Sequence, residues 1–332
     1  MRLGFDVGGT KTDAVVVAPG EEVLARVRRP TGWGPDAVVT TVLGLVAELA
    51  DTVGIRPAEF RSIGIGMPGQ VAPGSATVTH AVNLGVDELD LAAAVGGVVG
   101  VPVRAENDVK AAAIGAYALH GAFSGAFSGV IPDATSAAFS GAEPAGAHTL
   151  AYLNLGTGVA AGFVRDGELW RGAHGTAGEV GHISVDPHGP LCKCGQFGCI
   201  EAFCGGGAIA ERWGRASALP VRDVFDAADA GNTEAIALRA GLAHGVASAI
   251  RVIVLSADVD RVILGGGVTA LGDRMLSLVK DDLAASAAAS PFMRSLRLPD
   301  RVELLPPGSP AAAVGAALVG AGATEQEAVA HG

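Results

Sequence analysis

The chain has 332 residues, of which 49% are hydrophobic, 17% charged and 5% aromatic, and its formal net charge is −11. That length exceeds what one compact core usually absorbs, and the apolar content is enough for two lobes packed with Val, Ala, Leu and Ile rather than with rings. The acidic balance lacks the basic footprint that nucleic acid or an anionic membrane surface requires, yet it leaves room for a small anion held by backbone N–H groups.

The opening Met1-Arg2-Leu3-Gly4-Phe5-Asp6 shows no apolar run of the kind a secretory leader carries. No stretch is expected to reach the ~20 uncharged apolar residues of a membrane span. Cys192, Cys194, Cys199 and Cys204 are too crowded to be a disulfide framework. These features predict a cytoplasmic location, with no membrane and no nucleic acid as partner.

In chain order, Leu3–Val7 reads as a strand, Gly8-Gly9-Thr10-Lys11 as a turn and Ala14–Ala18 as a returning strand. This is a hairpin, so Gly8-Gly9 is not a dinucleotide fingerprint. Val23–Arg28 continues the sheet, and Pro35 starts a helix with Val38, Val42, Leu45 and Leu49 at helical spacing. A strand is expected over Ile63–Met67, a short helix capped by Asp90, a strand over Val101–Ala105, and an Ala-rich helix over Val109–Leu119. Residues 121–148 are a Gly/Ala/Ser-rich insertion. The first pattern then recurs: strand Leu150–Leu155, turn Gly156-Thr157-Gly158, strand Val159–Arg165. A long helix over Thr233–Leu255, a strand Val262–Leu264 leading into Gly265-Gly266-Gly267, a helix Leu271–Ala289, a strand Val302–Leu305 and a helix Ala311–Ala321 follow, and the tail from Thr324 is expected to fray.

Three glycine turns at strand ends stand out. Asp6, Gly8, Gly9, Thr10 and Lys11 supply bare N–H groups, a hydroxyl, an ammonium and a carboxylate placed to hold Mg²⁺ through water, the parts of a phosphate cradle. Gly156, Thr157 and Gly158 repeat the N–H groups and hydroxyl, while Gly265, Gly266 and Gly267 would let a flat ring lie on bare backbone. Each alone is equally a tight turn. Asp108, at a strand end and a helix start, is either an N-cap or a general base within reach of an alcohol, with Asn107 beside it to hold the hydroxyl.

Between Gly175 and Glu201 lie His182, Cys192, Cys194 and Cys199. A Cys₃His set closes a tetrahedral zinc site, and the alternative is buried thiols. His174 and His188 are competing ligands, and Cys204 lies outside the set.

The doubled Gly-Thr hairpins and the later Gly-Gly-Gly resemble the actin-like ATPase fold of sugar kinases. Glu106-Asn107-Asp108 resembles the catalytic triplet of the ROK family of sugar kinases and repressors. The stretch from Gly175 meets every fixed position of that family's signature: Gly, three residues, Glu, one residue, Gly-His, six residues, Gly, two residues, Cys-x-Cys-Gly, two residues, Gly-Cys-x-Glu. The resemblance implies an α/β, two-lobed, duplicated actin-like ATPase (ribonuclease H-like) fold with the active-site cleft between lobes. It implies a small lobe over 1–120 joined by the C-terminal helix 311–322, and a large lobe over 149–310 carrying a zinc-binding sugar loop. It implies ATP and Mg²⁺ as cofactors, structural Zn²⁺ on His182, Cys192, Cys194 and Cys199, and phosphorylation of a hexose 6-hydroxyl with Asp108 as base. Asn107, Glu179, His182, Glu201, Gly69 and Asn83 would contact the sugar, and the chain would form a homodimer or homotetramer.

Two departures bear on substrate. Val159-Ala160-Ala161 stands where the family commonly continues in glycine, and Gly85-Val86-Asp87-Glu88 stands where many glucose-specific members carry a tryptophan. N-acetylmannosamine, N-acetylglucosamine, fructose, allose and cyclitols therefore stand beside glucose. A sugar-responsive repressor of the same family would carry a helix-turn-helix before the first hairpin, which here begins at residue 3. A sugar-binding regulator without turnover is the third reading.

Overall fold

The computed structural model describes residues 1–19, 22–123 and 149–330; the 121–148 insertion lies outside them from residue 124 onward. In chain order the elements are β1 (Arg2–Val7), β2 (Lys11–Val17), β3 (Val23–Pro30), α1 (Pro35–Val53), β4 (Ile63–Met67), β5 (Gln70–Val71), β6 (Thr77–Ala81), β7 (Val86–Asp90), α2 (Gly97–Val99), β8 (Val103–Asn107) and α3 (Asp108–Phe123). There follow β9 (Thr149–Leu155), β10 (Val159–Arg165), β11 (Glu168–Trp170), α4 (Ile200–Cys204), α5 (Gly206–Trp213), α6 (Pro220–Asp229), α7 (Thr233–Ala257), β12 (Arg261–Gly265), α8 (Asp273–Ala287), α9 (Pro291–Ser295), β13 (Val302–Leu304) and α10 (Ala311–Ala330).

Two five-stranded sheets share one plan. The first runs β3-β2-β1-β4-β8 and the second β11-β10-β9-β12-β13. In the first, β1 pairs antiparallel with β2 and parallel with β4, and β4 pairs parallel with β8. In the second, β12 pairs parallel with both β9 and β13. The duplication expected from the two hairpins is thus present in the sheet order.

The chain divides into two compact units. One takes β1–α3, Gly162–Thr176 and α10; the other takes Thr149–Ala161 and Ala177–Pro307. In the first, Leu3, Phe5, Ile63, Ile65 and Met67 of the sheet bury against Val38, Val42, Leu45 and Leu49 of α1, each large side chain contributing ~1.5–3 kcal/mol. The helix α10 lies so close to β4 and α3 that a Cβ on Gly64 would stand 1.7 Å from the Ala316 carbonyl, and one on Gly115 1.8 Å from that of Ala311. An Ala/Gly-rich helix is what permits this approach.

Several expectations are corrected. A three-stranded antiparallel sheet, β5-β6-β7, lies between β4 and the short helix expected after Asp90, where no strand was expected. Asp90 ends β7, although its carboxylate still accepts the Ala93 N–H at 3.1 Å. The strand expected over Val101–Ala105 is shifted to Val103–Asn107, so Glu106 and Asn107 lie in it. Helix α3 runs past Leu119 to Phe123, and α10 past Ala321 to Ala330. The span from Gly267 opens with a 3₁₀ turn over Gly267–Leu271 before α8. Helix α7 is, against expectation, long and apolar enough by length and composition to cross a membrane. It buries Leu238, Leu242, Val246, Ile250 and Ile253 and packs against α4, α6 and α8, as a core helix does.

Candidate active site

The β1–β2 hairpin is closed by the Gly8 N–H donating to the Lys11 carbonyl at 3.0 Å. Thr31 braces it from the chain that leaves β3: its N–H donates to the Thr10 carbonyl at 3.2 Å and its hydroxyl to the Gly8 carbonyl at 2.6 Å. A Cβ on Gly9 would lie 3.0 Å from the Asn83 carbonyl, so the hairpin tip and the Asn83 turn are neighbours. Asp6 and Asp13 pair directly across the ladder. Burial pushes the Asp6 carboxyl up to about 7, and Asp108 and Asp13 add to the shift against Lys11 and Arg28. Burial pushes Asp13 upward too, but hydrogen bonds from Arg26 (2.9 and 2.5 Å) and Arg28 (2.6 Å) outweigh it and hold that carboxyl below the usual range.

At the β8–α3 junction Asn107 supplies the cap. Its Oδ1 accepts the Val109 and Lys110 N–H groups at 3.1 and 3.3 Å, and its Nδ2 donates to the Gly69 carbonyl at 3.2 Å. Asp108 begins the helix, with Oδ1 accepting the Val109 N–H at 2.9 Å. The capping that sequence offered as the alternative role of Asp108 is therefore taken by its neighbour. Asp6, Asp108, Asn107, Gly69, Gly9 and Asn83 all belong to the first compact unit.

In the second unit, the Gly156 N–H donates to the Gly158 carbonyl at 3.0 Å, and the hairpin rests on the α4–α5 junction. The Gly206 and Gly207 N–H groups donate to the Gly156 and Thr157 carbonyls at 2.8 and 3.0 Å. Glu201 of α4 accepts the Val159 N–H on Oε2 at 2.9 Å, and a Cβ on Gly158 would meet that oxygen at 2.7 Å. Gly265 and Gly266 have internal reasons to be glycine, since a Cβ would strike the Tyr152 hydroxyl at 2.3 Å or the Leu155 carbonyl at 2.6 Å. Only the Gly267 position faces open space among these three.

Exposed Glu179 precedes a 3₁₀ turn over Val180–His182, whose His182 N–H donates to the Glu179 carbonyl at 3.2 Å. His182, Cys192, Cys194 and Cys199 gather their ligand atoms within 4.8 Å of one another. His182 Nδ1 lies 3.9 Å from Cys192 Sγ, and the Cys194 and Cys199 sulfurs are 3.6 Å apart, close to the ~3.8 Å edge that Zn–S bonds of about 2.3 Å would give a tetrahedron. The backbone bond from the Gln196 N–H pulls the Cys194 thiol down to about 6, whereas burial and the neighbouring sulfurs push Cys199 up to about 12. Three sulfurs this close cannot all ionise without a cation among them, and the donor set fits one. His188 stands apart, 3.9 Å from Asp186. His174 is absent from the cluster. The Cys204 thiol donates to the Ile200 carbonyl of its own helix at 3.2 Å.

The sequence matches the ROK family over residues 2–125 and 128–320. The chain belongs to the ROK family. It is similar to the glucokinase of Halalkalibacterium halodurans, with 28% identity over 86% of each chain. It is also similar to the N-acetylmannosamine kinase of Shigella boydii serotype 18, with 31% identity over 86% of this chain and 89% of the relative. Among solved structures it resembles a ROK hexokinase from Thermus thermophilus, with a TM-score of 0.74 and 27% identity over 98% and 99% of the two chains. It resembles as well a ROK glucokinase from Streptomyces griseus in complex with glucose and AMPPNP, at 0.72 and 26% over 97% and 99%. The fold is thus the actin-like ATPase fold, and this ROK protein is a sugar kinase.

Within this ROK chain, three features escaped the sequence reading. Buried Glu106 accepts Arg171 at 2.9 and 2.7 Å on one oxygen and the Asn107 N–H at 3.0 Å on the other. Lys110, buried in the first turn of α3, donates through Nζ to the Gly175 carbonyl. Together they fasten the start of the signature stretch to the strand and helix that carry Asp108. The one available signal was a lysine two residues after Asp108 in an otherwise apolar helix. The third feature, Gly205-Gly206-Gly207 under the second hairpin, carried a glycine run that was passed over.

Proposed function

We propose that this ROK kinase transfers the γ-phosphoryl group of ATP to the 6-hydroxyl of a hexose, with Asp108 as general base. One observation carries the assignment: Asn107 caps α3 with its own side chain, and the carboxylate of Asp108 beside it, at the strand end, interacts with Asp6 of the phosphate hairpin. As the sugar oxygen bonds to the γ-phosphorus, its proton passes to the Asp108 carboxylate, and the bond from phosphorus to the bridging oxygen breaks to release ADP. Gly8, Gly9, Thr10 and Lys11, with Gly156, Thr157 and Gly158, would hold the phosphates, and Gly267 offers the bare backbone for the adenosine. Asp6, where burial and the neighbouring carboxylates outweigh Lys11 and Arg28, suits a water-bridged Mg²⁺.

The sugar hydroxyls would meet Asn107, Glu179, His182, Glu201, Gly69 and Asn83. Cys192, Cys194, Cys199 and Nδ1 of His182 would hold Zn²⁺, which braces the loop and leaves Nε2 for the sugar. The oligomer is a homodimer or homotetramer, acting in the cytoplasm. Glucose is the first substrate to test. N-acetylmannosamine is the second, favoured by the 31% identity to kinases of that sugar. An ADP-release assay across hexoses, N-acetylhexosamines and cyclitols tests the reading. Sugar-dependent ADP release supports it, and ADP release from no sugar overturns it.

A further inference from the structure

We infer that Trp33 is a specificity-determining residue that packs against the apolar C–H face of the sugar ring. The inference rests on the sugar-kinase reading above.

Trp33 stands between two glycines of positive φ, Gly32 (82°) and Gly34 (88°), in the segment leading from β3 to α1. That segment is fastened on both sides. Upstream, Thr31 holds the Gly8–Lys11 hairpin through its N–H and its hydroxyl, and its own carbonyl accepts the Thr41 hydroxyl at 2.8 Å. Downstream, the Gly34 N–H donates to the Leu84 carbonyl at 2.8 Å. Trp33 thus bridges the turn proposed for phosphate and the turn that carries Asn83.

The indole lies on Gly85. That residue has φ 66°, and a Cβ there would come within 2.6 Å of Trp33 Cε2 and Nε1. Despite this seat, Trp33 is 70% exposed, and Val82, immediately before Asn83, is 77% exposed. Two large apolar side chains therefore stand open to solvent beside one polar residue and the tip of the phosphate hairpin. A large aromatic held this firmly yet left open is surface waiting for a ligand rather than core. The adjoining ligand chemistry is a phosphate donor and a polyol. A pyranose offers hydroxyls at its rim for Asn83 and a patch of C–H bonds for a ring. Trp33 thus covers the backbone of the Asn83 turn from another segment.

The test is steady-state kinetics of Trp33→Ala, Trp33→Phe and Gly85→Ala with ATP and the best sugar of the hexose, N-acetylhexosamine and cyclitol panel. In Trp33→Ala the KM for sugar rises about tenfold, the loss expected for one aromatic contact, while the KM for ATP changes less than about twofold. Phe at 33 restores most of the sugar affinity. Ala at 85 pushes the indole off its seat and raises the sugar KM in the same direction, so the proposal stays testable should the first variant be unstable. A wild-type enzyme with turnover, and a sugar KM unchanged in Trp33→Ala and Gly85→Ala, overturns this inference alone. A wild-type chain that turns over no sugar of the panel overturns the kinase reading and this inference with it.

Discussion

Asp6 and Asp13 are direct partners across the β1–β2 ladder, and the protein treats the two carboxylates in opposite ways. Asp13 is clasped by Arg26 and Arg28 and stays ionised. Asp6 is raised to about 7 by burial, with Asp108 and Asp13 adding to the shift. A carboxyl whose folded pKa is raised costs stability as soon as the unfolded chain ionises while the fold still holds the proton. Its contribution is neutral below the unfolded value of 3.8 and turns unfavourable as pH rises from there through about 7. Asp6→Asn therefore stabilises the ligand-free protein at pH 8, by on the order of 2 kcal/mol after solvent screening, with no gain below pH 3.8. The same substitution removes the proposed Mg²⁺ partner and lowers kcat by at least about a hundredfold. Urea melts at the two pH values and turnover at saturating Mg²⁺ check the pair of effects.

Glu201 joins the end of the signature stretch to the Gly156–Gly158 hairpin. Its Oε2 satisfies the Val159 N–H, and Gly158 leaves space for it. A residue that contacted only sugar would, when altered, change the sugar KM and little else. Glu201→Ala instead orphans a half-buried N–H, at a cost of ~1–3 kcal/mol, and raises the KM for ATP together with that for sugar. Glu201→Gln retains an acceptor for Val159 and spares the ATP KM more than the sugar KM. Parallel titrations of both substrates read this out, and equal ATP KM values in wild type and Glu201→Ala would refute it.

Cys199 sits at the buried side of the His182–Cys192–Cys194–Cys199 cluster, bridging in register to Ser184. Elemental analysis is expected to find about one zinc per chain, the capacity of one closed Cys₃His set. Cys199→Ser loses it, lowers the melting temperature and weakens sugar binding more than nucleotide binding. Wild-type protein purified without zinc, and indifferent to a chelator, would remove the metal from the account.

Much of this was legible in the sequence, and the parts that were not share a cause. The apolar runs of β1, β4 and β9 and the 3.6-residue spacing of α1 declare themselves because one face of each meets a core. The β5-β6-β7 sheet did not, because Thr77–Ala81 and Val86–Asp90 are short, half polar and include His80 at φ 58°. The cysteine cluster was readable because its ligands are close in sequence. The Lys110–Gly175 and Arg171–Glu106 contacts were not, because each joins positions 65 residues apart. The glycines at 265 and 266 looked like ligand backbone, whereas the Tyr152 ring and the Leu155 carbonyl already account for them. Trp33 was invisible as a partner of the Asn83 turn until the fold laid it on Gly85.

The central claim is that Asp108 takes a proton from a sugar hydroxyl during phosphoryl transfer from ATP. The measurement that bears on it most directly compares wild type and Asp108→Asn for sugar-dependent ADP release, with sugar binding followed by calorimetry in the same preparations. The account predicts sugar-dependent turnover in wild type. In Asp108→Asn it predicts a loss of at least about a thousandfold in kcat, since general-base catalysis supplies ~10²–10⁴, with the sugar Kd within about fivefold of wild type. Substantial turnover by Asp108→Asn, or a wild-type enzyme that binds sugar and ATP and releases no ADP, would contradict it.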